Sequence, residues 1–371
     1  MLDQDQAKIC RTTSYSETLN LTSDSSDSFR ETPDNNTKGF RLHIRIGNPR
    51  HSSKRLKLTI AEEASGRSIW SSVVPTGLTE IWTPELGKVS VRISLQAFEE
   101  VTGQAESNSG YIAVVDRMLK CGRSSVPQSV FENKFEEIRA ADPDIREVGR
   151  SVARLTVMSD NGVPLNCTAF LIAPNIVITN RHCVYSGTEA FNATAEFDYD
   201  SFDREPLRIG IAAILLASCD LDFIMLRLQE PPCAKADCTG SGDRRPISMK
   251  QAVRPGLNAA LIVIQHPDGF PKQISKQGCS LFSEHLIGNS SSVTDFGDRC
   301  DTSSGSSGAP VFSFLSDGKI GPLVGIHHLG ARADFVTAIL TAQDMQNRGV
   351  YASGILDYTR ASSATLYAEL R

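Results

Sequence analysis

Three separated stretches of this sequence hold the side chains needed to turn a hydroxyl into a nucleophile. His182 follows the apolar run from Phe170 to Thr179, Asp222 directly precedes Phe223, Ile224, Met225 and Leu226, and Ser307 lies between Gly305 and Gly308. A serine hydroxyl attacks a carbonyl poorly until an adjacent imidazole accepts its proton. The imidazole in turn needs a buried carboxylate to fix its tautomer and stabilise its charged form. Gly305 permits a tight backbone turn in which its N–H and that of Ser307 point toward the oxygen of a tetrahedral intermediate. Taken singly, each stretch has a plainer reading, since a histidine after a strand is usually structural and a Gly/Ser cluster is usually a loop. Together they supply nucleophile, base and orienting acid. Asp220 competes with Asp222 for the last role, because residues two apart share one side of an extended strand.

Short strands must position these groups. From Val152 onward, β-prone runs (Val152–Val157, Phe170–Ile172, Ile176–Thr179, Phe223–Leu228, Leu261–Ile264, Pro310–Phe314, Leu323–Ile326) alternate with Gly, Pro, Asn and Asp. Many short strands with turn signals between them predict an all-β barrel or sandwich. Upstream, Leu42, Ile44 and Ile46 alternate with His43 and Arg45, Leu56, Leu58 and Ile60 with Lys57 and Thr59, and Val89, Val91, Ile93 and Leu95 with Ser90, Arg92 and Ser94. That period of two predicts half-buried antiparallel strands, hence a small β-rich domain over residues 39–102. Residues 1–38, in which Ser and Thr supply 12 of the 28 positions from Arg11 to Lys38, read as a disordered tail that buries too little apolar surface to offset its ordering entropy. Residues 103–145 read as a linker with a helix near Phe131–Ala141, ended by Asp142 and Pro143. The catalytic-type residues then fall in a domain spanning 146–371.

The chain has 371 residues, 40% of them hydrophobic and 22% charged, with no apolar stretch long enough to span a membrane. Its net charge of -5 leaves no basic surplus for phosphates, so neither nucleic acid nor a membrane is an expected partner. The first residues lack an apolar core of the secretory-signal kind, which favours the cytoplasm. Nine cysteines point the other way, toward an oxidising compartment reached by some other route. No paired Cys-x-x-Cys spacing supports a metal site, and the chemistry calls for no cofactor.

The motifs resemble those of the chymotrypsin-like serine endopeptidases, most closely the bacterial trypsin-like branch that includes the glutamyl endopeptidases and the Htr-type proteases. The likeness runs through C-T-A-F-L-I-A-P-N-x-V-I-T-N-x-H from Cys167 to His182, D-F-I-M-L from Asp222, H-P-D-G at His266–Gly269, G-S-S-G-A-P-V-F from Gly305, and L-V-G-I-H at Leu323–His327. It covers roughly residues 148–358. The order His182, Asp222, Ser307 differs from the Asp, His, Ser of subtilisin-type enzymes. It also differs from the Ser, acid, His of α/β-hydrolases, whose G-x-S-x-G fails here at Ala309.

The resemblance implies two six-stranded β-barrels with a cleft between them, behind a small β-rich N-terminal domain. It implies a serine endopeptidase acting through an acyl-enzyme, with His182, Asp222 and Ser307 as catalytic residues and the Gly305 and Ser307 N–H groups as oxyanion hole. It favours Asp222 over Asp220, since the family's aspartate directly precedes the apolar run. The family's substrate pocket maps onto Asp301, Thr302 and His327. A threonine and a histidine there receive an acidic side chain in glutamyl endopeptidases, whereas an aspartate at the place of Asp301 receives Lys or Arg in trypsin. His328 complicates the reading, because alternation sends only one of the two histidines into the pocket. Cys167 and Cys183 stand at the separation at which many trypsin-like enzymes tie the strand before the catalytic histidine to the residue after it. Cys279 with Cys300 is a second candidate bridge, and Cys219, Cys233 and Cys238 hold a third. Ser306 replaces the aspartate that anchors a newly cut N-terminus in trypsin-like zymogens. The expected partners are a peptide or protein substrate and a protein bound through the N-terminal domain. The rival reading is a catalytically inactive protease-fold scaffold.

Overall fold

The computed structural model describes residues 10–17, 26–29, 37–47, 55–74, 80–84, 86, 90–98, 112–122, 134–159, 162–235, 238, 240, 243–288, 293–330 and 346–370. Within them the chain first forms β1 (Cys10–Glu17), β2 (Ser26–Phe29), β3 (Thr37–Gly47), β4 (Arg55–Glu62), β5 (Ser68–Val74), β6 (Glu80–Trp82), β7 (Val91–Phe98) and β8 (Ile112–Gly122). These strands make two four-stranded sheets, ordered β1-β8-β3-β6 and β2-β7-β4-β5. The alternating residues meet between them as expected: Leu42, Ile44, Ile46, Leu56, Leu58, Ile60, Val91, Ile93 and Leu95 share one core with Phe40 and Trp70.

Two expectations are corrected here. Part of the tail read as disordered is extended: β1 pairs with β8 and β2 with β7. Ladder hydrogen bonds to partner strands stabilise such segments, a contribution that composition within the tail does not reveal. The linker likewise begins too early, because β8 pairs along the length of β3 and completes the first sheet. The remainder of 1–38 and of 103–145 lies outside the described residues.

The helix expected near Phe131–Ala141 is also displaced. Its described part holds β9 (Glu136–Glu137) and a 3-10 turn at Ile138–Ala140, whereas α1 runs from Pro143 to Gly149. Asp142 and Pro143 start this helix instead of ending one, because proline at the first helical position needs no N–H and already has a helical φ.

The first barrel follows, closed in the order β10-β11-β12-β15-β14-β13. Its strands are β10 (Val152–Met158), β11 (Pro164–Ala173), β12 (Ile176–Thr179), β13 (Thr194–Phe197), β14 (Leu207–Ser218) and β15 (Phe223–Leu228), with α2 (Gly187–Phe191) between β12 and β13. The second half contains β16 (Leu261–Gln265), β17 (Gln273–Ser275), β18 (Leu281–Ile287), β19 (Val293–Asp298), β20 (Pro310–Phe314), β21 (Ile320–Leu329) and β22 (Asn347–Tyr351). Its sheet runs β18-β19-β22-β21-β20-β16-β17-β9. A bridge between Ala260 and Ser280 brings the start of β18 back to the start of β16, so six of these strands curl into the second barrel while β17 and β9 extend from it. Helices α3 (Ala352–Ser362) and α4 (Ala364–Glu369) close the chain. The architecture is mostly β and trypsin-like, with an additional β-rich region at the N-terminus.

The N-terminal sheets rest on the first barrel. Asn192 Oδ1 accepts the Trp82 N–H at 3.1 Å, and Gln229 Nε2 donates to Ser72 Oγ at 2.7 Å. Phe191 belongs to the N-terminal core. Arg41 and His43, on the polar side of β3, are buried as well, so the half-solvated sheet expected from alternation is covered on both faces there.

Candidate active site

Strand β12, apolar except for Thr179, is buried along its length, and Thr179 pairs with Ile224 of β15. That register sets the turn at Arg181–Cys183 beside the loop before β15. Two donors from this turn, the Arg181 N–H at 3.1 Å and Asn180 Nδ2 at 2.9 Å, meet the Asp222 carbonyl. The Asp222 carboxylate faces His182 twice: Oδ1 accepts the His182 N–H at 3.0 Å, and Oδ2 lies 2.7 Å from Nδ1. Asp222 adopts φ 45°, a left-handed conformation that aspartate tolerates better than most residues. Asp220 is exposed.

Asp222 has a second imidazole partner that the sequence did not single out for this role. His328 Nδ1 lies 3.3 Å from the same Oδ2, and its Nε2 lies 2.9 Å from Asp295 Oδ2. Burial pushes the Asp222 carboxyl upward, but the bonds from His182 and His328 outweigh it and hold the group down at about 2. For His328, burial alone would lower the proton affinity, and the two carboxylates raise it above the ordinary histidine value.

Ser307 sits in the turn before β20. Both flanking glycines have positive φ, 90° at Gly305 and 86° at Gly308. A Cβ at Gly305 would lie 2.7 Å from the His266 carbonyl oxygen, so both conformation and space require glycine there. The turn is clasped from both barrels. Thr168 of β11 donates its N–H to the Ser307 carbonyl at 2.8 Å and its hydroxyl to the Gly305 carbonyl at 2.9 Å. From β21, the His327 carbonyl accepts the Gly308 N–H and the His327 N–H donates to Ala309, both at 2.9 Å. His327 is also close enough to His182 for the two imidazoles to repel. Among the described residues, the N–H groups of Gly305 and Ser307 engage no acceptor. Ser306 Oγ accepts the Ser303 N–H at 3.0 Å inside the turn.

The pocket candidates divide. The Asp301 carboxylate accepts the Lys134 N–H at 3.0 Å, and its own N–H donates to Ser275 Oγ. Thr302 Oγ1 and His327 Nδ1 are buried without a hydrogen-bond partner. Burial, reinforced by repulsion from His328 and His182, lowers His327 to about 3. The two adjacent histidines therefore differ in environment, His328 lying between carboxylates and His327 among imidazoles.

Cys167 and Cys183 form a disulfide that joins β11 to the residue after His182, and Cys279 and Cys300 form another beside the second barrel's core. Cys233 pairs with Cys238, and Cys219 lies exposed. Among the described residues no group of His, Cys, Asp and Glu could hold a metal ion, and no helix is long and apolar enough to cross a membrane.

Residues 167–326 match the family model of the trypsin-like peptidase domain. The chain is 26% identical over 242 residues to the uncharacterised protein y4fB of Sinorhizobium fredii, covering 59% of this chain and 34% of that one. It is 27% identical over 220 residues to the secreted RxLR effector protein 73 of Plasmopara viticola, covering 54% and 50% respectively. The chain therefore spans half or less of the length of these curated relatives. Among solved structures, the Rv3671c protease of M. tuberculosis is similar in its inactive form, with 17% identity, TM-score 0.42, and coverage of 64% of this chain and 98% of that one. Its active form gives 17% identity, TM-score 0.41 and coverage of 64% and 91%. The matched segment contains His182, Asp222 and Ser307. That segment therefore carries the sequence pattern of a trypsin-like peptidase domain.

Proposed function

We propose that this chain is a serine endopeptidase that cleaves peptide bonds through an acyl-enzyme. The observation that carries the proposal is the His182 imidazole bound through Nδ1 to a buried carboxylate, which leaves Nε2 for the Ser307 hydroxyl. In this reading His182 takes the Ser307 proton as Oγ attacks the scissile carbonyl, then delivers it to the leaving amine. Asp222 holds the ring and stabilises its charged form. A water activated by the same imidazole then hydrolyses the ester. The unengaged N–H groups of Gly305 and Ser307 would receive the oxyanion at each tetrahedral stage.

For the residue before the cut bond, the reading is an acidic side chain. Thr302 Oγ1 and His327 Nδ1 are buried without a hydrogen-bond partner and, with the imidazole proton on Nδ1, both would donate to a carboxylate, whereas the Asp301 carboxylate is already tied to the Lys134 main chain. His327 is neutral at pH 7 and would donate as a neutral N–H; a bound carboxylate would raise its proton affinity. Cleavage after Lys or Arg at least as fast as after Glu, in a matched peptide series, would defeat this assignment. The N-terminal sheets, which hold none of these groups, are assigned to recruiting a substrate or partner.

The test of the chemistry is labelling by a fluorophosphonate probe. The full chain should be labelled and the Ser307→Ala chain should not. No labelling of a folded full chain would leave a scaffold that keeps the protease fold without its reaction.

A further inference from the structure

His328 lies behind the reacting groups, buried in β21 with a carboxylate on each ring nitrogen, Asp222 on Nδ1 and Asp295 on Nε2. Only an imidazolium donates from both nitrogens at once. One oxygen, Asp222 Oδ2, serves both His182 and His328, so the charge that steadies His182 is divided between two rings. The anchor is itself held, since Thr294 Oγ1 donates to Asp295 Oδ1 at 2.8 Å. The groups facing His328 are Asp222 from the loop before β15, Asp295 from β19, His327 on its own strand and, beyond Asp222, His182. Arg348 of β22 pairs opposite Leu329, one residue along, and turns its guanidinium to the Ile287 carbonyl.

We propose that His328 is a positioning residue which, as a cation bridging Asp222 and Asp295, partly offsets the Asp222 charge and thereby lowers the pH above which His182 is a free base. The inference rests on the serine-endopeptidase reading for its kinetic consequence, but not for its electrostatic one. An uncompensated Asp222 would hold the His182 proton more tightly and close the site on its acid side. The raised proton affinity of His328 agrees with the bridge.

Three measurements on the full chain test it. Nitrogen NMR of selectively labelled histidine should show His328 protonated on both ring nitrogens at pH 8, where an ordinary histidine is neutral; a neutral ring there would overturn the proposal without any variant. His328→Gln, and His328→Gln combined with Asp295→Asn so that no buried carboxylate is left unpaired, should each move the titration midpoint of His182 up by about one unit. The acid limb of kcat/KM should move with it. A lowered kcat with an unmoved midpoint and acid limb would reduce His328 to packing and defeat the proposal. Because the NMR midpoint is read without turnover, an inert parent chain that fluorophosphonate does not label would refute the endopeptidase reading alone.

Discussion

At the scale of single residues, the choice between two aspartates two positions apart turns on solvent. Asp220 is exposed, whereas Asp222 is buried with both oxygens facing His182. Asp222→Asn should therefore lower kcat on a peptide substrate on the order of 10⁴-fold, as loss of the orienting carboxylate does in serine proteases generally. Asp220→Asn should stay within a few-fold of the parent. An inert Asp220→Asn chain beside an active Asp222→Asn one would assign the role to the wrong carboxylate. His327 yields a prediction in pH. It is held at about 3 in the folded chain, against about 6.5 for an ordinary histidine. Between those values the unfolded chain binds the additional proton, so this residue makes stability rise with pH across the window, and acidification below about 6.5 destabilises. His327→Gln removes that proton site. The variant should lose less in Tm than the parent between pH 7 and pH 5, and equal losses would mean that folded His327 already carries its proton.

At the scale of elements, the candidate catalytic residues depend on turns whose ends are fastened elsewhere. The Cys167–Cys183 bond spans a sequence separation of 16 and ties β11 to the histidine turn. Closing a loop of that size stabilises by about 3 kcal/mol, chiefly by restricting the unfolded chain. Combining Cys167→Ala with Cys183→Ala should lower the urea-unfolding free energy by about that amount, and a reductant should bring the parent toward the variant. If parent and variant unfold alike under oxidising conditions, the bond is absent in solution. Thr168, the residue next to this bridge, also holds the Ser307 and Gly305 carbonyls. The histidine turn and the nucleophile turn thus share β11 as their support.

At the scale of the whole molecule, the N-terminal sheets touch the first barrel at Asn192, Gln229 and Phe191, none of them a candidate catalytic residue. A chain starting at Phe131 should fold and cleave short peptides, because both barrels and the β9 edge strand remain. It should be less soluble, because Phe191 loses its cover. A folded but inert shortened chain would place the sheets inside the active unit. Activation is a second property at this scale. Ser306 is uncharged and satisfied by Ser303, so it offers no carboxylate to a newly cut N-terminus. Arg146 lies in α1, and Val152, two residues past Arg150, begins a strand already buried in the first barrel. Active-site titration should find reactive Ser307 in the intact chain. Reactivity appearing only after a cut at Arg146 or Arg150 would require another anchor.

The residue types and their order, His182 then Asp222 then Ser307, were legible in the sequence, as were the alternating strands β3, β4 and β7 and the glycines of the nucleophile turn. Period-two alternation and glycine at a tight turn are local constraints, written in neighbouring residues. Pairing is not local, so local composition reads β1 and β2 as tail, β8 as linker and Pro143 as the end of a helix it begins. Through-space contacts were equally hidden. His182 meets Asp222 across 40 positions, and His328 reaches the same carboxylate across 106. No periodicity spans such intervals. Only the closed fold could separate His327, neutral among imidazoles, from His328, shared by two carboxylates, because desolvation and charge at a buried ring depend on what packs around it and not on what adjoins it in the chain.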